Sequence, residues 1–373
     1  MNAQASSPVF PSGRLVSLDA LRGFAMFWII GGGPFVLALV HYFGSESIIR
    51  LVEYHSEHVG WEGLVAWDLI FPTFVFVSGA TMPFALTGKL ERGVDKWRLH
   101  GRLFWRMLIL IGLGMSQDFF HLDFANMRPF SVLGLIGVAY FIAGVIVLNR
   151  GVVGQFAWMI GILLGYWAAV WYIPVPGTEL GRFTPGGCLP AYVDWHLIPG
   201  KFYGGVFDPE GLLTLPLAGA LALMGALAGR LLKENAQCPY WNVLALVVAG
   251  GISLGLGFLM SLSFPIIKAL WTSSFVLAAG GWALLLLAVF YMVIDVWRMR
   301  WLGFFFIPIG MNAITIYVGH EYIDFGYTAN IIFGGLARLS GETLMPIVTT
   351  AGVLAVEWVL LYFLYRKRIF LRV

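Results

Sequence analysis

Charge is what this chain has least of. Only 12% of its 373 residues are Asp, Glu, Lys or Arg, roughly half of what a soluble domain carries. That scarcity excludes a water-soluble globular protein as a description of the whole chain. Cysteine is nearly absent as well. The two present, Cys188 and Cys238, fall on opposite sides of the expected topology, so no disulfide is expected between them. The net charge is only +3 and the basic residues form no long block, so nucleic acid is not an expected partner. Metal-ligand spacing, a Gly-rich phosphate loop after a strand and a nucleophile elbow are all missing, and no metal is expected. No fixed-period repeat or low-complexity tract interrupts the chain. The first apolar segment runs into GGGP rather than a small-x-small cleavage site, and reads as a retained helix.

What the chain has instead is apolar surface: 59% of its residues are hydrophobic, and glycine is frequent at 46 residues, as expected where membrane helices approach closely. Apolar segments of about 20 residues, enough to span a bilayer, fall at roughly 18–40, 64–87, 103–120, 130–149, 154–173, 211–232, 241–263, 272–294, 302–320 and 345–366. The stretch 327–339 reads as a re-entrant or interfacial piece. The expectation is an all-α polytopic membrane protein, a bundle of about ten transmembrane helices. With the N-terminus inside, 17 of the 23 basic residues face the cytoplasm, so both termini are expected there. Residues 1–373 then form one integral-membrane domain, with a short cytoplasmic tail at 1–13 and a long outer loop at 174–210.

The densest chemistry lies in HSEHVGWEGLVAWDLIFPTFVFVSG, residues 55–79. Two histidines and two carboxylates precede an apolar run that contains Asp68 and, four positions on, Pro72. A carboxylate within a span costs several kcal/mol unless paired or hydrated, and marks a functional candidate. Pro72 is expected to bend the helix near Asp68. His58, Trp61 and Glu62 stand at i, i+3 and i+4, so a helix starting early would put them on one face. An imidazole beside a carboxylate is suited to act as general base or to accept an acyl group; the alternative is a solvated loop histidine. His55 has the same alternative more strongly, and Glu53 and Glu57 read as solvated charges.

Elsewhere, RLVSLDALRG places Asp19 and Arg22 at i and i+3 on the first helix, with Ser17 or Asp19 as its cap. The Arg22 guanidinium suits a phosphate, or else clasps Asp19. Arg102 and Arg106, four apart on the third helix, either face a phosphate or serve topology. The outer loop carries Tyr192, Trp195, Tyr203 and Phe207 and ends in Asp208-Pro209-Glu210. Aromatics beside carboxylates suit a sugar, or form an interfacial belt. Lys268, in FPIIKALWTSS, is expected to pair with Asp208 or Glu210 or to meet a substrate. Asn312 and His320 add polar groups in the ninth span.

Taken together, RLVSLDALRGFAMFWIIGG, HVGWEGLVAWDLIFPTFVFVSG, FDPEGLLTLPLAGALALMGALAG, FPIIKALWTSSFVL and IGMNAITIY resemble the transmembrane acyltransferases related to heparan-α-glucosaminide N-acetyltransferase. The bacterial branch of that family includes membrane proteins of N-acetylglucosamine utilisation. The resemblance covers the chain from about residue 14 onward. It implies transfer of an acetyl group from cytoplasmic acetyl-CoA to the amine of a glucosamine-like hexosamine at the outer face. By motif matching, His58 is the histidine of H-x-x-W-x-G, with Trp61 and Gly63. Asp68 is the aspartate of D-L-x-F-P, Asn312 the asparagine of the ninth helix, and Arg22 the arginine of L-D-x-x-R-G. Two departures stand out: Gly33 replaces an asparagine that ends the first helix in the animal enzymes, and Leu133-Gly134-Leu135-Ile136 lacks an arginine common in bacterial members.

The resemblance assigns His58 and Asp68 to catalysis. Acetyl-CoA would meet Arg22, Arg102 and Arg106 with its phosphates, and Trp271, Thr272 and Asn312 with its pantetheine arm. Trp61, Glu62, Asp208, Glu210 and Lys268 would meet the amino sugar. A multi-pass protein of the bacterial inner membrane is implied, and a homodimer is compatible with the resemblance. An inner-membrane transporter of N-acetylglucosamine or a related amino sugar is the competing reading, since intramembrane carboxylates in bent helices also suit transport.

Overall fold

The computed structural model describes residues 15–116, 128, 130–177, 180–198, 200–203 and 205–371. The expected tail at 1–13 and Arg14 lie outside them. Among the described residues every regular element is a helix, as sequences that must satisfy their backbone polar groups in lipid require. Among the described residues eight helices are long and apolar enough to cross a membrane: Val16–Phe43, Ala66–Leu90, Val132–Asn149, Val152–Tyr172, Thr214–Glu234, Pro239–Ser261, Ser273–Val296 and Met345–Arg366. Each coincides with an expected span.

The other two expected spans take different forms. The segment expected at 103–120 lies in a helix that starts earlier, Lys96–Gly114, whose first turns carry Lys96, Arg98, Arg102 and Arg106; residues 117–120 of that expectation lie outside the described residues. The segment expected at 302–320 is broken into Arg300–Gly303, Phe306–Met311 and Ala313–Tyr322. Its main break is Asn312, whose φ of −120° and ψ of 27° leave the helical region. The stretch 327–339 lies in a helix, Phe325–Leu339, of 15 residues. At about 22 Å that helix is too short to span, and it packs along Met345–Arg366.

The buried centre is Thr214–Glu234, flanked by Ala66–Leu90 and Val132–Asn149. A Cβ added to Gly79 would lie 1.9 Å from Ala222 O, and one added to Gly225 would lie 2.0 Å from Phe76 O. The two backbones therefore touch, as small residues at membrane helix interfaces allow. That contact fixes the depth of the span carrying Asp68.

Local details depart from expectation in two places. Pro72 sits in the first turn of Ile70–Ala80 rather than mid-helix, where its missing N–H leaves no bond unmade. The helix instead opens as a tight turn at Ala66–Leu69 that holds Asp68. The first helix is capped neither by Ser17 nor by Asp19. Asp295, from the end of Ser273–Val296, accepts from the backbone N–H groups of Val16 (3.4 Å) and Ser17 (3.1 Å). A carboxylate borrowed from a neighbouring helix satisfies these buried N-terminal amides and favours the positive end of the dipole.

Candidate active site

His58 does not sit on a helix. The stretch between Glu46–Ser56 and the turn at Ala66–Leu69 is irregular, so the expected shared face of His58, Trp61 and Glu62 does not form. What holds it is a set of bonds to distant loops. Gly63 has φ +129°, a conformation open to glycine and strained for other residues. Its N–H donates to Ile266 O at 2.9 Å. Trp61 Nε1 donates to Phe183 O at 2.6 Å, and its indole packs edge-on to Phe207 at 5.2 Å. The H-x-x-W-x-G pattern thus ties the His58 loop to two others.

Across this junction three side chains meet. His58 Nδ1 lies 2.7 Å from Asp68 Oδ1. Lys268 Nζ lies 3.2 Å from the same oxygen, and 2.9 Å and 3.4 Å from His58 Nδ1 and Nε2. Asp68 is buried, and its second oxygen accepts from Val65 N–H at 3.3 Å. The His58 side chain is 55% exposed, so the cluster opens outward. A carboxylate only accepts, so Asp68 favours the imidazole proton on Nδ1 and leaves the lone pair on Nε2, which lies 3.4 Å from the Lys268 ammonium. The Lys268 ammonium balances the buried carboxylate. Burial lowers its pKa below the ordinary lysine value, against the pull of Asp68.

The turn that presents Lys268 is unusually well tied. Trp271 holds a left-handed conformation (φ 49°, ψ 41°), uncommon for a bulky residue and kept only where surroundings enforce it. Thr272 Oγ1 accepts from Ile267 N–H at 3.1 Å, and Tyr166 Oη donates to Leu270 O at 2.6 Å. The Trp271 ring packs edge-on to Phe71 and Phe275. Trp271 and Thr272 are therefore buried and engaged in positioning Lys268.

Asp208 and Glu210 bind a different cation from the one expected. Arg128 Nε and Nη2 donate to Asp208 at 2.7 and 2.6 Å, and Nη2 also bonds Glu210. Arg128 further lies 5.0 Å from the Tyr203 ring centre. Lys268 is thereby left to Asp68 and His58. Burial pushes the Glu210 carboxyl up to about 7, although Arg128 works the other way. Arg128 carried no signal of its own in the sequence; only fold proximity reveals it.

A polar cavity of about 890 Å³ adjoins His58, lined by Arg50, Glu53, Tyr54, Glu57, Trp67 and Gly33 among others. Glu53 and Glu57, read as solvated charges, border this cavity. Gly33 matters here because a Cβ at that position would lie 2.6 Å from the Trp67 ring. Glu62 lines a second, apolar cavity of about 910 Å³ instead.

The remaining candidates lie elsewhere. Arg22 sits 3.8 Å from Asp19, so the internal clasp forms. Lys89 feels the charges of Arg92, Arg102 and Arg106, and it ends the span that Asp68 begins, about 31 Å away along the helix. Arg106 stacks on the Tyr140 ring at 4.0 Å. Asn312 is buried, and neither of its amide atoms has a hydrogen-bond partner among the described residues. A further pair escaped the sequence reading: His320 Nε2 lies 2.7 Å from Glu357 Oε1, a carboxylate whose place inside the last apolar run was its available signal.

No family model matches the chain. Two curated proteins do, both named heparan-alpha-glucosaminide N-acetyltransferase. The human one is 28% identical over 96% of this chain and 60% of its own length. The mouse one is 26% identical over the same shares. These likenesses support a related transmembrane acetyltransferase family. The chain spans about 60% of the length of the relatives it matches.

Proposed function

We propose that this chain is an acyltransferase that moves the acetyl group of acetyl-CoA to the amine of a glucosamine-like hexosamine. The observation that carries the reading is the His58–Asp68–Lys268 cluster, with its bonded Nδ1, its exposed imidazole and its adjoining polar cavity. In this reading the amine nitrogen attacks the thioester carbonyl, His58 Nε2 takes the amine proton, and the C–S bond breaks with that proton returned to the departing CoA sulfur; or His58 Nε2 first takes the acetyl group with release of CoA thiolate and then passes it to the amine. Asp68 holds the imidazole in the competent tautomer. Lys268, whose ammonium lies beside both, keeps the buried carboxylate compensated.

Acetyl-CoA would approach from the opposite end of the bundle. Lys89, Arg92, Arg102 and Arg106 gather there and offer like charges for its phosphates. Arg22 lies toward the same end. Asn312, buried with free amide atoms, offers a donor and an acceptor to the pantetheine amides. We place the basic end in the cytoplasm and the His58 end outside, in a bacterial inner membrane, by the distribution of basic residues. Arg128, Asp208, Glu210 and Trp61 would border the sugar side, and a homodimer fits the same reading.

The test is CoA release by purified protein given acetyl-CoA and glucosamine, beside the His58→Ala variant. Release that depends on glucosamine and falls by about 10³-fold or more in the variant supports the reading. Undiminished release in the variant overturns the role of His58. Sugar binding without any CoA release turns the assignment to a transporter.

A further inference from the structure

The second cavity is not used by that reaction. Its volume is about 910 Å³, and it runs beside the first span from Phe24 to Val36, about 18 Å of helix. Phe24, Trp28, Ile70 and Leu286 form its deep wall. Its side toward the lipid is open: Leu51, Phe258 and Trp282, which also line it, are 58%, 50% and 41% exposed. The polar groups gather at one end, where His55 and Glu62 form the mouth. That end shares Ser56, Val65 and Trp67 with the polar cavity at His58. The space is therefore graded, polar beside the candidate catalytic cluster and apolar along the membrane depth.

From this we infer that the acceptor is an amphiphile, an amino sugar carried on a hydrocarbon chain that lies in the apolar cavity while the sugar amine reaches His58. A chain entering from the bilayer replaces lipid contacts with the cavity wall and leaves no polar group unpaired. A pantetheine arm in the same place would bury two amides, each with a donor and an acceptor, against a deep wall whose side-chain polar groups are the Thr73 hydroxyl and the indole N–H groups of Trp28 and Trp282, too few acceptors for the amide N–H groups. A free hexosamine would leave the cavity unfilled by substrate. The inference rests on the acetyltransferase reading for its chemistry, but the occupancy of the cavity is measurable without turnover.

The experiment uses the full chain in lipid nanodiscs. Acetyl transfer is compared between glucosamine and a series of alkyl glucosaminides with chains of about eight to fourteen carbons. The same series is run on two variants that fill the cavity from opposite walls, Val36→Trp and Ser261→Trp. Partition of the substrates into the bilayer is common to all three proteins, so it cancels in the comparison. The expected result is a kcat/KM that rises with chain length in the native chain. Both variants should lose about tenfold on the longest acceptor and retain turnover of glucosamine. Equal chain-length dependence in all three proteins overturns the inference. In parallel, an alkyl glucosaminide bearing a photoreactive diazirine at the chain end is crosslinked and mapped. Labelling of the peptide around Leu286, lost in Val36→Trp, supports the inference even if no acceptor is acetylated, in which case the acetyltransferase reading alone fails. Labelling confined to lipid or to other helices overturns the inference whatever the activity.

Discussion

The two ends of the Ala66–Leu90 span hold charge in opposite ways. At the Asp68 end, opposite charges are paired within the protein: Lys268 with Asp68, and Arg128 with Asp208 and Glu210. At the Lys89 end Lys233 pairs with Glu91 at 3.0 Å, but Lys89 itself lies among like charges, with Arg92, Arg102 and Arg106 all acting on it. A paired cluster is preorganised, and its value lies in fixing a proton and an orientation. A like-charged cluster raises its own energy until an anion arrives, and its value lies in binding. The difference suits the reaction proposed above, with an amino-sugar acceptor at one end and the polyanionic acetyl-CoA at the other.

The comparison can be broken at either end. The largest effect is expected from Asp68→Asn, which offers an amide where the imidazole needs an acceptor. Acetyl transfer should fall about 10²–10⁴-fold in the CoA-release assay while the variant remains folded by circular dichroism; unchanged turnover would remove Asp68 from the mechanism. Lys268→Met leaves the buried carboxylate without its cation and should lower kcat about tenfold to a hundredfold, with KM for acetyl-CoA unmoved. At the other end, Arg102→Ala combined with Arg106→Ala should do the reverse. We expect KM for acetyl-CoA to rise about tenfold at low salt, kcat to hold, and the difference to shrink as ionic strength rises. A kcat effect instead would mean that the two ends are not divided in this way.

The smallest effect concerns the loop scaffold beside the Asp68 end, where Asp194 lies in the helix Leu189–Leu197. Asp194 is buried and accepts from Leu212 N–H at 2.9 Å, and burial raises its carboxyl from 3.8 to about 6. The folded protein thus binds that proton more tightly than the unfolded chain. Its stabilising contribution is complete below about pH 4 and is lost as the pH rises through about 6. Asp194→Asn should flatten that part of the thermal-stability profile measured between about pH 4 and 7. An unchanged slope would assign the dependence to another group.

Much of the fold was legible because membrane spans announce themselves locally. An apolar run of sufficient length has to form a helix in lipid, and eight such runs did. Where the run carried charges, as at Lys96–Gly114, the boundary moved. Where a polar residue interrupted it, as at Asn312, the helix broke into pieces whose ends composition does not specify. The His58–Asp68 pair was legible too, since the residues are ten apart in sequence and the carboxylate stood out against its apolar surroundings.

Partners supplied from far along the chain were not legible. Lys268 reached Asp68 rather than Asp208 or Glu210 because the turn at 267–272 is tied down by Trp271, Thr272 and Tyr166. Asp295 took the capping role expected of Ser17 or Asp19 because its helix ends beside theirs. The amino-acid sequence by itself determined which segments enter the membrane and which polar residues are costly there, because solvation free energy is a local property of each segment. Only the tertiary structure decided which of those residues compensate one another. Pairing depends on separations of about 3 Å, and those follow from how the helices and loops pack.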